Sequence, residues 1–488
     1  MKRRAFIRNG GLAIATAIAS PLLSSRSHAR SVGNPLRIPA TLAGSSLEAK
    51  TVAAEVWPGS TTDLMTLGGT WPGPTIRVRR GDQFEVDVVN RLDESTTVHW
   101  HGLVVPPDMD GHPMDVIAPN ASRRYSFEVL NRAGTYWYHP HPHERTAAQT
   151  YQGMAGIFIV EDDDEQNLDL PRGAYDVPLL IQDRIVRGGR TLVYDPDSIA
   201  RLNGTLGDTV FVNGTPDAYL NVDRGLYRLR LINASNARIL RLAFNDGRSF
   251  NVIGCDGGLL DRSHVVNETY LAPAERIEIV VDFAALAIGQ SVELRSLAFG
   301  SATTYAQQGF ELAVMSFVGT GGAGHSSISQ TLIPHEPFRI DDARKTQSIT
   351  LDTSPIPLGG HHHKINGVVF DMHRIDARIP LDELQLWEIT NQHTMSHPIH
   401  IHGTQFQVVD RTTVAQLAPV DMGWKDTVLV AGKETVRVLI RFSPFVGTYL
   451  LHCHNLEHED DGMMINFSVD QRTAVDDAQA IPTKLDLR

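Results

Sequence analysis

The 488-residue chain has only two cysteines, Cys255 and Cys453, so a disulfide framework cannot be what holds its fold together. Long apolar runs are scarce as well. The segment Gly10 to Leu23 is too short to cross a bilayer, and no other stretch reads as a membrane span. Positive charge is in deficit, with 44 Lys and Arg against 56 Asp and Glu. Such a surface repels nucleic acid and anionic lipid and favours cationic partners. Methionine is sparse too, 11 in all with no methionine-rich run. What remains, 42% hydrophobic and 20% charged, is the composition of a soluble globular protein. A prior of about 100–200 residues per domain predicts three domains.

The first thirty residues stand apart. Lys2-Arg3-Arg4-Ala5-Phe6-Ile7-Arg8 is a basic stretch with a twin arginine, followed by the apolar Gly10 to Leu23 and the small-x-small site Ser27-His28-Ala29. This order predicts a removable twin-arginine export signal over residues 1–29, and hence a periplasmic mature protein with no membrane insertion. Cleavage after Ala29 would remove five basic residues and no acidic ones, leaving 39 against 56, a net charge of −17.

An internal repeat organises the rest. In Gln83 to Asn90, Phe84, Val86 and Val88 alternate with Gln83, Glu85 and Asp87, which predicts a half-buried strand. Similar runs end at Asn233 and Asn391, giving separations of 143 and 158 residues. A second echo joins only the outer units. His99-Trp100-His101-Gly102 is answered by His400-Ile401-His402-Gly403, and Gly134-Thr135-Tyr136-Trp137-Tyr138-His139-Pro140-His141 by Gly447-Thr448-Tyr449-Leu450-Leu451-His452-Cys453-His454. The expected architecture is all-β: three Greek-key β-sandwich domains at 36–165, 172–320 and 340–470. Candidate boundaries are the acidic stretch 161–165 and the Gly/Ser-rich stretch 319–329.

Random placement of 21 histidines would give about one His-x-His pair; there are six, four of them in the duplicated motifs. On a strand, residues i and i+2 point to one face, so four pairs would bring eight imidazoles to a shared interface. Imidazoles alone suit zinc, iron, nickel or copper; Cys453 narrows the choice. Lying between His452 and His454, its sulfur should face away from them, towards His458 and Met463, with His397 supplied from upstream. Two histidines, a thiolate and a distant methionine form the ligand set of a blue-copper electron-transfer site. Cys255 reads instead as a small buried apolar residue.

On these motifs the chain resembles the multicopper oxidases, specifically their three-domain bacterial laccase and cuprous-oxidase branch, over about residues 40–470. The resemblance implies three cupredoxin domains and four copper ions. A type 1 copper would take His397, Cys453, His458 and axial Met463. The type 2 copper would take His99 and His400, and the type 3 pair His101, His139, His141, His402, His452 and His454. It further implies one-electron oxidation of a small reducing substrate coupled to reduction of O2 to water, with Asp110 and Glu459 as proton-relay residues. The middle unit, with His264 as its one histidine, would bind no copper, and the protein is expected to be a monomer.

The donor is less sharply drawn. Relatives that oxidise Cu(I) carry a methionine-rich insertion and an acidic residue shortly before the first type 1 histidine. Here Met372, Met395 and Met422 are scattered, and His393-Thr394-Met395-Ser396 occupies the acidic position. Phenols or aromatic amines are therefore the first expectation, Cu(I) or Mn(II) the alternative, and a non-enzymatic periplasmic copper protein a third. His361-His362-His363 could hold an additional ion, whereas His143 has no counterpart among the family's ligands.

Overall fold

The structure, a computed structural model, describes residues 33–188, 191–300, 309–358 and 361–472. The expected export signal lies outside them. Among the described residues no helix is long and apolar enough to cross a membrane.

Among the described residues strands dominate, forming six sheets that share three main cores. The first core, with Val86, Trp100, Tyr138 and Phe158, lies between two four-stranded sheets. The middle core, with Leu229, Ile279 and Phe317, draws on a six-stranded and an eight-stranded sheet. The third, with Trp387, Val438, Leu451 and Phe467, joins a six-stranded and a five-stranded sheet. The fold is all-β, built of cupredoxin-like sandwiches.

The repeat is physical as well as textual. Strands Gln83–Asn90, Leu226–Asn233 and Gln385–Asn391 each pair in parallel with an earlier strand, Ser46–Trp57, Asp176–Arg187 and Lys345–Leu358 respectively. Parallel neighbours need a crossover rather than a hairpin, so the chain must leave the sheet between them. Each repeat strand ends on a buried asparagine with one task. The Asn90 amide donates to the Glu94 and Ile117 carbonyls, and its oxygen accepts from Leu92 N–H. Asn233 bonds Arg238, Leu271 and Ser235 in the same way, and Asn391 bonds Met395, Val430 and His393. In the outer units this pinned turn leads directly to His99 and His397.

Burial departs from simple alternation in the middle unit. Strand Leu226–Asn233 is buried on both faces because Arg228 and Arg230 are sealed in ion pairs with Glu165, Asp176 and Glu278. Glu165 belongs to the acidic stretch expected to be a boundary. Between the last strand of the first unit and the first of the middle unit, that stretch forms a short helix, Asp163–Gln166, capped by the Asp162 carboxylate, and its Glu165 bonds Arg228 and Arg230 of the middle sheet. Likewise, strand Leu312–Ala323 continues through the first glycines of 319–329. The segment Asn34–Pro35 joins the middle unit's sheet, beside Ala218 and Tyr219.

Candidate metal centre

The duplicated motifs have the same register. His99 pairs with His139 across strands His99–His101 and Gly134–His139, and His400 pairs with His452 across His397–Ile401 and Gly447–Cys453. Only His99 and His101 both lie within a strand. His141, His402 and His454 fall just beyond strand ends, where the chain turns around the site, so strand alternation alone does not explain why the rings converge. They converge nonetheless: the His99 ring stacks on His402 at 3.9 Å and that of His101 on His400 at 3.7 Å, interleaving the first and third units.

Eight imidazoles meet here with almost no exposure. Their facing nitrogens include His99 Nε2 to His400 Nε2 at 3.3 Å, His402 Nε2 to His452 Nε2 at 3.0 Å, His141 Nε2 to His452 Nε2 at 3.3 Å and His454 Nε2 to His139 Nε2 at 3.4 Å. Outer nitrogens are engaged elsewhere. Nδ1 of His99, His139, His400 and His452 faces the carbonyl oxygen of Asp110, Pro140, Asp426 and Cys453, respectively. A carbonyl only accepts, so these Nδ1 atoms carry the proton and each Nε2 presents a lone pair to the centre. Burial also drives six of the imidazoles towards the neutral form, holding His141 and His454 at about 3 and His101, His139, His400 and His402 well below their ordinary value. Buried lone pairs facing one another are repulsive, and a shared cation removes the repulsion. This arrangement fits a nitrogen-bound metal cluster.

The second cluster shares the Gly447–Cys453 strand. Cys453 Sγ lies 3.5 Å from both His397 Nδ1 and His458 Nδ1, which are 3.3 Å apart. The far nitrogens are spoken for: His397 Nε2 meets Thr353 Oγ1 at 3.0 Å, and His458 Nε2 donates to the Leu202 carbonyl at 3.0 Å. Burial pushes the thiol up and holds His397 at about 3, so this is a protonated sulfur beside two free nitrogens unless a cation binds. Met463 is buried in the same core, its N–H bonded to the His458 carbonyl and its carbonyl to Cys453 N–H. Both cysteines are free thiols, and Cys255 is buried against the Trp424 carbonyl.

Two carboxylates back the imidazoles. Asp110, following the turn Pro107–Met109, is fully buried; its Oδ2 accepts from His402 Nδ1 at 2.6 Å, and Oδ1 lies 3.5 Å from His99 Nδ1. Glu459, on helix Leu456–Asp460, sets Oε2 3.1 Å from His452 Nδ1 and Oε1 3.4 Å from His141 Nδ1. Burial alone would raise its pKa, but His141 and His452 outweigh it and hold the carboxyl below the usual range. Neither is a solvated loop carboxylate.

The three consecutive histidines diverge. His361 sits at the rim beside Asp461, His362 donates to the Ser354 carbonyl, and His363 is fully buried, stacked on His458 at 3.7 Å. Among the described residues, no grouping close enough to share one ion includes His361 or His362, while His363 joins His397 and His458. Sequence reasoning also missed Thr353, Asp426 and Arg276, whose partners are remote in the chain. Each of their residue types is common, so their only signal is spatial. His143 lies apart, against Phe370.

Comparison with known proteins agrees with this geometry. Residues 48–165 and 337–473 each match a multicopper oxidase family model. The multicopper oxidase mco of Staphylococcus aureus is 34% identical over 435 residues, 86% of this chain and 87% of that protein. The laccase of Bacillus subtilis (strain 168) is 31% identical over 83% of this chain and 89% of its own length. The crystal structure of the McoA multicopper oxidase from Aquifex aeolicus superposes with a TM-score of 0.83 at 38% identity, covering 90% of this chain and 99% of that one. The likeness runs through both clusters and the sheets between them: the chain belongs to the multicopper oxidase family, which implies copper as cofactor and oxidoreductase chemistry.

Proposed function

We propose that this protein is a laccase-like oxidase that couples one-electron oxidation of phenols or aromatic amines to the four-electron reduction of O2 to water, in the periplasm after export. One observation carries the reading: Cys453 of the thiol cluster is flanked by His452 and His454 of the imidazole cluster. Copper bound at the two sites would supply one-electron redox chemistry and the reduction of O2. In this assignment a type 1 ion is held by His397, Cys453, His458 and Met463, a type 2 ion by His99 and His400, and a type 3 pair by His101, His139, His141, His402, His452 and His454.

The residues divide the remaining work. The peptide bonds on either side of Cys453 provide a short covalent path between the clusters. Dioxygen reduction consumes four protons, and Asp110 and Glu459 are buried carboxylates already bonded to cluster imidazoles, able to hold a proton at Asp110 Oδ1 or at a Glu459 carboxylate oxygen. On the donor side His458 is fully buried beneath the Leu202 carbonyl, so a donor must work across this cover rather than on the bare ring.

A second reading has its own support. A hollow of about 480 Å³ that includes Glu457, the chain neighbour of His458, is lined by Glu144, Asp460, Asp461 and His361 together with Arg145 and Arg201; its carboxylate oxygens suit Mn(II) as donor, with Cu(I), which prefers sulfur, as the other metal-ion alternative. Steady-state kinetics of copper-loaded protein with a phenol, Cu(I) and Mn(II) side by side decide between the two. Higher kcat/KM for the phenol supports the first reading, and higher kcat/KM for a metal ion supports the second. Absence of both visible thiolate–copper absorption and O2 uptake would point to a non-enzymatic copper protein.

A further inference from the structure

Seven of the eight cluster imidazoles turn Nε2 inward. His101 does the opposite: its Nδ1 lies 3.4 Å from His139 Nε2, and its Nε2 faces outward to Asp426 Oδ1 at 3.1 Å and Thr427 Oγ1 at 3.2 Å. Asp426 is fully buried and gripped by both ends of the Arg276 guanidinium, at 2.6 Å to Oδ1 and 2.5 Å to Oδ2. A carboxylate bound in this way accepts, so the His101 proton sits on Nε2 and the Nδ1 lone pair is free for the cluster. The same residue orients a second ring, because its backbone carbonyl accepts from His400 Nδ1 at 2.8 Å.

Arg276 comes from the middle unit. Its own backbone N–H bonds Asp256 Oδ1 at 2.8 Å, Asp256 Oδ2 lies 3.1 Å from Lys425 Nζ, and Lys425 reaches Glu275 at 3.1 Å. The result is a buried ladder, Glu275, Lys425, Asp256, Arg276, Asp426, with three carboxylates and two cations. The unmatched negative charge is offset if positive charge gathers at the His101 end. Space is tight there. A Cβ on Gly102, whose φ is +84°, would sit 2.4 Å from Asp426 Oδ2 and 2.6 Å from Arg276, which accounts for glycine after His101.

We propose that Asp426 is a positioning residue of the cluster, selecting the tautomer of His101 and aiming His400, and that the copper-free middle unit serves the cluster through Arg276. The proposal rests on the reading of the eight imidazoles as a copper site. Removing an outer partner of a metal-bound histidine weakens metal affinity about 10–100-fold, and Asp426→Asn should show a loss of that size. The test uses the full copper-loaded chain, with copper per chain measured after dialysis against graded chelator, together with visible absorption and electron paramagnetic resonance.

Asp426→Asn should lose cluster copper at lower chelator than wild type while keeping the thiolate–copper absorption. Lys425→Met, which breaks the same ladder without touching His101, should lower thermal stability but retain cluster copper. Wild-type cluster retention in Asp426→Asn, or equal cluster loss in both variants, would overturn the proposal. If Asp426→Asn does not fold, Arg276→Lys keeps the charge but loses the two-pronged grip, and the same selective loss or retention decides. A wild-type chain that holds no cluster copper would instead overturn the reading beneath it.

Discussion

One peptide bond joins His452 to Cys453, and their side chains end in different clusters: His452 Nε2 lies 3.0 Å from His402 Nε2, while Cys453 Sγ lies 3.5 Å from His397 Nδ1. The opposite faces of one strand thus face two clusters, which is the shortest connection a β-strand can offer.

Cys453→Ser separates the two sites. The variant should lose the intense visible absorption and bind one copper fewer per chain, while cluster copper remains. Oxidase activity should fall by at least ~100-fold, because a hydroxyl is a poor ligand for this set. Elemental analysis and absorption on one sample check the split. Loss of all copper would show that the sites do not fill independently.

Asp110→Asn and Glu459→Gln address the protons. Each removes an ionisable group while keeping an oxygen for the His402 or His452 bond, and both carboxylates face histidines, whereas an amide at Asp426 would turn its NH2 onto the Arg276 guanidinium, so here copper content should hold. Reoxidation of reduced enzyme by O2 should slow by about 100-fold, the scale of general acid–base assistance, while anaerobic reduction by the donor is unchanged. Stopped-flow absorbance separates the half-reactions. Unchanged reoxidation across pH would remove both residues from the proton path.

The ten histidines and Cys453 that the structure gathers into two clusters were legible in the sequence because histidine pairs and a cysteine among them are rare and the motif is duplicated. The fold was legible where one face is buried, as in Phe84, Val86 and Val88, with Gln83 and Glu85 exposed. It was not legible where polar residues meet across units. Arg228 and Arg230 resemble a solvated face until Glu165, 65 residues away, is brought beside Arg230. Asp426 is similar, since its partner His101 is 325 residues distant. No local pattern encodes such contacts. His361 to His363 failed differently: one run of identical residues sends its members to the rim, to a backbone carbonyl and beneath His458.

The metal-free protein should be acid-sensitive. His141, His397 and His454 are held at about 3 in the folded chain against an ordinary value of 6.5. Between these values the unfolded chain binds protons that the folded chain refuses, so stability is lost as pH falls below 6.5 and continues to fall towards 3. Each such imidazole contributes about 1.4 kcal/mol per pH unit. Urea unfolding at about pH 7 and about pH 5 should show a large drop for the apo form and a smaller one for the copper-loaded form, where metal competes with protons. Equal stability of the apo form at the two pH values would contradict this.

Asn233 tests the repeat away from copper. Asn233→Ala strands the Ser235 N–H and two carbonyls in the middle core. Thermal unfolding should show a loss of about 2–3 kcal/mol, with absorption and copper content unchanged. A neutral substitution would mean that the buried turn is held by its neighbours instead.

The central claim is that electrons taken singly from a donor reach the imidazole cluster and reduce O2 completely. Simultaneous measurement of O2 uptake and donor oxidation by the copper-loaded protein tests it most directly. We expect four one-electron donors consumed per O2, with no peroxide released. Peroxide at two donors per O2, or no uptake with a phenol, Cu(I) or Mn(II) despite full visible absorption, would contradict it.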